Sequence, residues 1–248
     1  MKYCKKTTKL QFDANQEFQK KAVKSAVDLF KGQANNSGGV RFEISDAADG
    51  YLYNSCFVVG NRLEIDEKTI LENLQVVQGQ NGIEISGGLD GLNFSLEMET
   101  GTGKTYVYLR TIHELNKEYG FKKFIIVVPS LAIKEGAIKN LQITKEHFDL
   151  LYEKPEIDFY VYDPKKRGLA RNFATTSSLQ ILVMNIDQFA KADNIIHKDS
   201  DWGKPIDYIQ AVNPVVIVDE PQNMETDNKE AGHRQLKAFM YAALFSHA

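Results

Sequence analysis

The stretch METGTGKT, Met98 to Thr105, constrains this chain more than any other. It lies between the apolar run LNFSLEM, read as a strand, and a helical pattern, TYVYLRTIHELNKEYG, that ends at Gly120. Strand, glycine-rich loop and helix in that order can cradle a polyphosphate. Glycines let the backbone approach closely, and a helix N-terminus presents unsatisfied N–H groups and a positive dipole end. Gly101 and Gly103 fill that role, and Thr100 and Thr102 complete the loop. Lys104 is then placed to neutralise the β- and γ-phosphates, and the Thr105 hydroxyl to complete a Mg²⁺ shell. The commonest form of the pattern carries glycine where Met98 stands.

Three more apolar runs follow, FIIVVP, LQILVMN and NPVVIVDEP, each suited to a strand buried on both faces. Their alternation with helical patterns predicts an α/β fold with a parallel sheet and flanking helices. Upstream, Asn15 to Phe30 spaces Phe18, Ala22, Val23, Ala26, Val27 and Phe30 as one face of an amphipathic helix, with Asp13 and Asn15 as its expected caps. Residues 32–91 are less regular. GQANNSGG reads as a loop, VRFEI as a strand, DEKTILENLQVVQ as a short helix, and QNG and SGGLDG as turns, so this region is expected to be an insertion. No internal repeat or low-complexity segment interrupts the pattern.

A P-loop nucleotidase also needs a carboxylate at the end of a neighbouring strand, and VVIVDEPQ supplies Asp219 and Glu220. Asp219 suits the metal. Glu220 beside it suits a base that orients and deprotonates the attacking water, which points to hydrolysis rather than transfer to another acceptor.

The charge balance narrows what else the chain can bind. Among 248 residues, 30 Lys and Arg face 33 Asp and Glu, a net charge of −3, so phosphate binding has to be local. The 43% hydrophobic and 25% charged composition excludes a disordered or collagen-like chain. Two cysteines, Cys4 and Cys56, read as ordinary thiols in a reducing cytoplasm. The amino terminus has no apolar signal core, and no run approaches the roughly 18 apolar residues of a membrane span, so the expected location is cytoplasmic with no membrane partner. His113, His147, His197, His233 and His247 lack ligand-like spacing, which argues against a metal–imidazole site.

GTGKT, IIVVPSLAIKEG, ILVMNIDQF and VDEPQNM occur in the order of the first motifs of superfamily 2 helicases. The wording METGTGKTYVYLRTIHELN resembles the restriction (Res) subunit of type III restriction–modification enzymes, and the similarity covers roughly residues 10 to 230. In that family Met at the first position of the Walker A loop is usual, as is DEP followed by Gln or His. The resemblance implies a RecA-like first motor domain over residues 1–231 that binds ATP and Mg²⁺. It also implies a full enzyme that couples hydrolysis to movement on double-stranded DNA and to cleavage, in complex with a methyltransferase (Mod) subunit. FQKKAVKSAVDLF resembles the family's adenine-reading segment, which would make Gln19 a two-pronged partner of the adenine edge; an exposed helical glutamine is the alternative. VVPS resembles the motif that grips the DNA backbone, which would assign DNA contact to Pro129 and Ser130, with Asn185 and Asp187 in a similar role. The alternative for Pro129 and Ser130 is a strand-ending turn.

Lys165, Lys166, Arg167 and Arg171 in DPKKRGLAR form a basic loop that reads first as a solvated face. After METDNKEA the text GHRQLKAFMYAALFSHA departs from the strand ending in Ser-Ala-Thr that the family would carry. Read one nucleotide on, LKAFMYAALFSHA can encode LKPLCMLRYSAT, so residues 232–248 are expected to be an out-of-frame or truncated tail. With no second motor domain in the chain, little ATPase is expected from it alone. Two other readings stay open: another superfamily 2 DNA or RNA helicase, and a non-catalytic fragment that binds nucleotide or DNA.

Overall fold

The structure, a computed structural model, describes residues 11–44, 56–163, 166, 168–186 and 204–219. In chain order these form helix α1 (Glu17–Asp28), strands β1 (Val40–Ile44) and β2 (Cys56–Gly60), helices α2 (Glu67–Asn81) and α3 (Lys104–Tyr119), and strand β3 (Lys123–Val128). Helix α4 (Leu131–Leu151), strand β4 (Ile157–Val161), helix α5 (Leu169–Thr175), strand β5 (Leu179–Asn185), helix α6 (Pro205–Ala211) and strand β6 (Val215–Val218) follow. The last four strands make one sheet in the order β4–β5–β3–β6, with every neighbouring pair parallel.

The central strands β3 and β5 are buried along their whole length, because helices cover both faces. Successive side chains point to opposite faces, so Phe124, Ile126 and Val128 pack with Val23 of α1, Leu109 and Ile112 of α3 and Phe148 of α4. Ile125 and Val127 face the other way, against Phe173 of α5, Ile206 and Ile209 of α6 and Val58 of β2. The three-layer α/β architecture expected from the apolar runs is the one observed.

The region expected to be an insertion is an antiparallel β1–β2 hairpin followed by α2. It is fastened to the sheet at the chain position just after β2. The Asn61 side chain accepts from the N–H groups of Lys122 and Lys123 at 2.7 and 3.1 Å and donates to the carbonyls of Lys123 and Asn213 at 2.8 and 3.0 Å. Next to it, Gly60 lies so close to the chain at Val212 that a Cβ there would sit 2.6 Å from the Val212 carbonyl oxygen.

Three expectations need correction. LNFSLEM, read as the strand before the glycine loop, has no strand structure. A strand exists only by hydrogen bonding to a neighbour, and among the described residues β6 is paired to β3 on one side with no strand on the other to receive this segment. Asp13 and Asn15 do not cap α1. The residue before the helix is Gln16, and Asp13 instead accepts from the Asn15 N–H at 2.8 Å. The buried face of α1 centres on Gln19, Val23 and Val27 and leaves Phe18 half exposed, because the helix packs on α3 along that stripe. Arg171 lies within α5 rather than in a basic loop, since Ala170, Phe173 and Ala174 bury the other side of that turn.

Candidate functional site

Parallel pairing brings the carboxyl ends of all four strands to one edge of the sheet, where ligands of open α/β sheets bind. Val128 of β3 is level with Asn185 of β5, and the Asp219 N–H donates to the Val127 carbonyl at 2.9 Å, just past the end of β6. Pro129, Ser130, Asn185 and Asp219 therefore share that edge. Glu220 and Asp187 lie outside the described residues.

The glycine loop meets this edge through α3. Gly101 and Gly103 have φ of +83° and +88°, a left-handed conformation that costs a side-chain-bearing residue strain. A Cβ at Gly101 would touch nothing within 4 Å, so the loop is open on that side. Gly103 is the N-cap of α3, and no side chain caps the helix there, which leaves its first N–H groups directed into the loop. Thr100 is exposed at the loop's tip, while Thr102 turns back to donate its hydroxyl to the Glu99 carbonyl at 2.6 Å. The Lys104 ammonium curls over the loop and donates to the Met98 carbonyl at 3.3 Å.

Gln19 reaches the same loop from α1. Its Nε2 donates to the Thr102 carbonyl at 2.9 Å, and it stands 2.7 Å from where a Cβ of Gly103 would be. The residue is 7% exposed, so it is no surface glutamine. Beside it stands an aromatic wall that sequence reasoning did not single out. The rings of Phe12 and Tyr106 stack with centroids 6.0 Å apart, and the Tyr106 hydroxyl is hydrogen-bonded to His147 Nε2 at 2.9 Å. Burial holds His147 below its ordinary pKa, with Arg110 adding to the effect.

On the sheet-facing side of α3, Tyr108 lies one turn beyond Lys104. Its hydroxyl is buried without a direct hydrogen-bond partner among the described residues. It nevertheless interacts with both Thr105 and Asp219, and burial followed by the Asp219 charge raises its pKa and keeps the phenol protonated. The pattern that marks Tyr108 in the sequence is its spacing of four from Lys104, which puts both on one helix face. Thr105, Tyr108 and Asp219 thus converge.

No three His, Cys, Asp or Glu side chains among the described residues form a group able to hold a metal by themselves. A Mg²⁺ ion that takes most of its shell from phosphate and water needs only one or two protein oxygens, and Thr105 and Asp219 flanking an orphaned buried hydroxyl fit such an ion.

At the expected DNA-contact positions the side chains also carry structural roles. The Ser130 hydroxyl accepts from the Ile133 N–H at 3.3 Å as the N-cap of α4. Asn185 is 8% exposed. No helix among the described residues is long and apolar enough to cross a membrane.

Residues 15–245 match the family described as type III restriction enzyme, res subunit. The match continues through the tail after Gly232, which lies outside the described residues. Among curated proteins, the chain is 34% identical over 203 residues to the EcoPI Res subunit of Escherichia phage P1, covering 69% of this chain and 20% of that protein. It is 33% identical over 192 residues to the EcoP15I Res subunit of Escherichia coli, covering 67% and 20%, and 35% identical over 163 residues to the StyLTI Res subunit of Salmonella typhimurium, covering 56% and 16%. The chain spans about a fifth of the length of the first two relatives.

Proposed function

The chain belongs to the family of type III restriction enzyme Res subunits, and we propose that it is the ATP- and Mg²⁺-binding part of a helicase-type motor. In this reading ATP hydrolysis drives movement on duplex DNA toward cleavage, together with a DNA-methylating Mod partner. The observation that carries the reading is the meeting of Thr105 and Asp219 around Tyr108 at the carboxyl edge of a parallel sheet, beside a glycine loop that is open on one side and holds Lys104.

Bound ATP would supply the phosphoanhydride to be cleaved, and Mg²⁺ would supply positive charge to offset that of the phosphates. The backbone N–H groups of residues 101–105 take the phosphate oxygens, and the Lys104 ammonium turns from Met98 to the β- and γ-phosphates. Thr105 Oγ1 and the Asp219 carboxylate would hold the metal. Gln19 and the wall of Phe12 and Tyr106 lie on the side from which the base would be read. Glu220 takes the proton of the attacking water as the oxygen bonds to the γ-phosphorus and ADP leaves with its bridging oxygen. Ser130, Pro129 and Asn185 would meet the DNA backbone along the same edge.

Calorimetry with ATP and Mg²⁺ tests the binding part of this reading: the wild-type chain binds, and Lys104→Ala binds roughly a hundredfold more weakly. Equal affinity of the two would overturn the cradle. ATP hydrolysis measured with and without duplex DNA, in a protein extended to the length of its relatives, separates a motor from a binder. In that protein Glu220→Gln binds ATP normally yet turns over far more slowly, and unchanged turnover would remove Glu220 from its role.

A further inference from the structure

We propose that Gln19 is a positioning residue of the phosphate loop: its side-chain amide fixes the Thr102–Gly103 peptide, so that the loop presents its N–H groups to a triphosphate whatever base is attached. The inference rests on the nucleotide-site reading above. It moves the point at which Gln19 acts from the adenine edge, where the family resemblance puts it, to the loop itself.

Three observations carry it. Gln19 Nε2 donates to the Thr102 carbonyl at 2.9 Å, across 83 residues of chain. The same nitrogen stands 2.7 Å from the place a Cβ of Gly103 would take, so the backbone at residue 103 is pressed against the amide. Finally, Gln19 is 7% exposed and shares with Val23 and Val27 the stripe that α1 buries. A side chain confined in this way has little rotamer freedom left, so its tie to the loop is a fixed one.

The helix that carries Gln19 is itself fastened to α3 at both ends. Arg110 Nη1 donates to the Ala14 carbonyl at 2.7 Å just before α1, and the Tyr119 hydroxyl donates to the Val27 carbonyl at 3.1 Å in its last turn. The amide therefore reaches the loop from a support joined to the helix whose N-terminus meets the phosphates.

What the tie does follows from the peptide unit. In a planar trans peptide the C=O and N–H point to opposite sides, so drawing the Thr102 carbonyl towards α1 turns the Gly103 N–H away from it. Left-handed residues such as Gly101 and Gly103 gather successive N–H groups into a concavity that suits an anion. Nothing lies within 4 Å of a Cβ at Gly101, so the loop is backed by Gln19 at one end and open at the other. Without that backing, the cost of ordering a glycine-rich loop falls on ligand binding, and it falls equally on every ligand that carries the same phosphates.

The test is Gln19→Met and Gln19→Leu in the full chain, with calorimetry of ATP, GTP and inorganic tripolyphosphate, each with Mg²⁺. Both substitutions fill the buried site without a charge and remove the donor. The thermal midpoint of each variant is read so that the titrations are made on folded protein. Affinity is expected to fall about tenfold, by the same factor for all three ligands. A loss for ATP that spares tripolyphosphate overturns the proposal and makes Gln19 a reader of the base. Wild-type affinities for all three overturn it as well, and a lowered thermal midpoint beside them would mark a purely structural glutamine. Lys104→Ala serves as the reference. If it weakens all three ligands and the Gln19 variants do not, this proposal alone falls. If Lys104→Ala leaves all three unaltered, the nucleotide-site reading falls and this one with it.

Discussion

At the amino edge of the sheet the Asn61 amide uses both its oxygen and its nitrogen on backbone groups of Lys122, Lys123 and Asn213, whereas at the carboxyl edge the first N–H groups of α3 have no side-chain cap and the Tyr108 hydroxyl has no direct partner among the described residues. Lys123 continues the first pattern. Though fully buried, it donates from Nζ to the Phe173 and Thr176 carbonyls at 2.6 and 2.5 Å, where α5 ends. The contrast separates two uses of polar groups. Asn61 and Lys123 stabilise the amino edge by pairing buried backbone carbonyls and N–H groups there, although Gln180 Oε1 and Asn213 Oδ1 on that edge have no hydrogen-bond partner among the described residues. The uncapped start of α3 instead keeps donors available for a ligand at some cost in stability.

If the edges divide the work in this way, damage to one should leave the other's readout alone. The largest expected effect is at the open edge. Lys104→Ala removes the cation in the cradle and should lower ATP affinity by about 3 kcal/mol, or roughly a hundredfold. Urea unfolding of the same variant should match wild type, and a large loss of stability would mean that the loop lysine is structural after all.

At the closed edge, Gly60→Ala drives a methyl group against the Val212 backbone, which cannot move without disturbing the turn into β6. A loss of about 2–3 kcal/mol in chemical denaturation is expected, with ATP affinity of the folded protein preserved. Stability within error of wild type would show that the hairpin gives way at little cost.

A pH series sharpens the comparison further. Desolvation, with Lys122 nearby, pushes the Lys123 pKa from 10.5 down to about 7. Above that value the folded chain gives up a proton that the unfolded chain keeps. Stability from this group therefore rises as pH goes from about 7 towards 10.5, by at most about 1.4 kcal/mol per pH unit. The rise should be flattened in Lys123→Met, and a wild-type slope in that variant would assign the effect to other groups. On the acid side, burial holds His113 near 4 against an ordinary 6.5, so its contribution is lost as pH falls through that interval.

The smallest effect concerns a residue claimed by both structure and function. Ser130→Ala removes the N-cap of α4 and should cost about 1 kcal/mol in a denaturant melt. DNA binding in the extended protein should weaken beyond what that loss explains if the hydroxyl also meets a phosphate, and unchanged binding would leave it a cap alone.

Much of this was legible in the residues. Strand β5 coincides with the LQILVMN run and β1 with VRFEI, and α3 ends at the expected Gly120, whose φ of +73° closes the helix. Five elements were not read: β2, β4, α5 and α6 are five to seven residues long and too short for periodicity to stand out, and the 21-residue α4 was quoted only for the motif at its start. The cradle was named residue by residue, but the meeting of Phe12, Tyr106 and His147 and the place of Tyr108 were not, because which rings of distant segments meet is set by packing and not by their own spacing.

What the sequence determined by itself is what local chemistry encodes: the glycine loop ahead of a helix, the fully apolar strands that require two covered faces, and the wording shared with the Res family. The tertiary structure decided which groups meet. LNFSLEM is as apolar as a strand yet forms none, because pairing depends on a neighbour and not on its own residues. Gln19 is buried against Thr102, and Tyr108 faces Asp219 from an element far away along the chain. Side-chain spacing carries information over a turn or two of helix. Only packing of the helices onto the sheet sets the distances between elements, and those distances assemble the site.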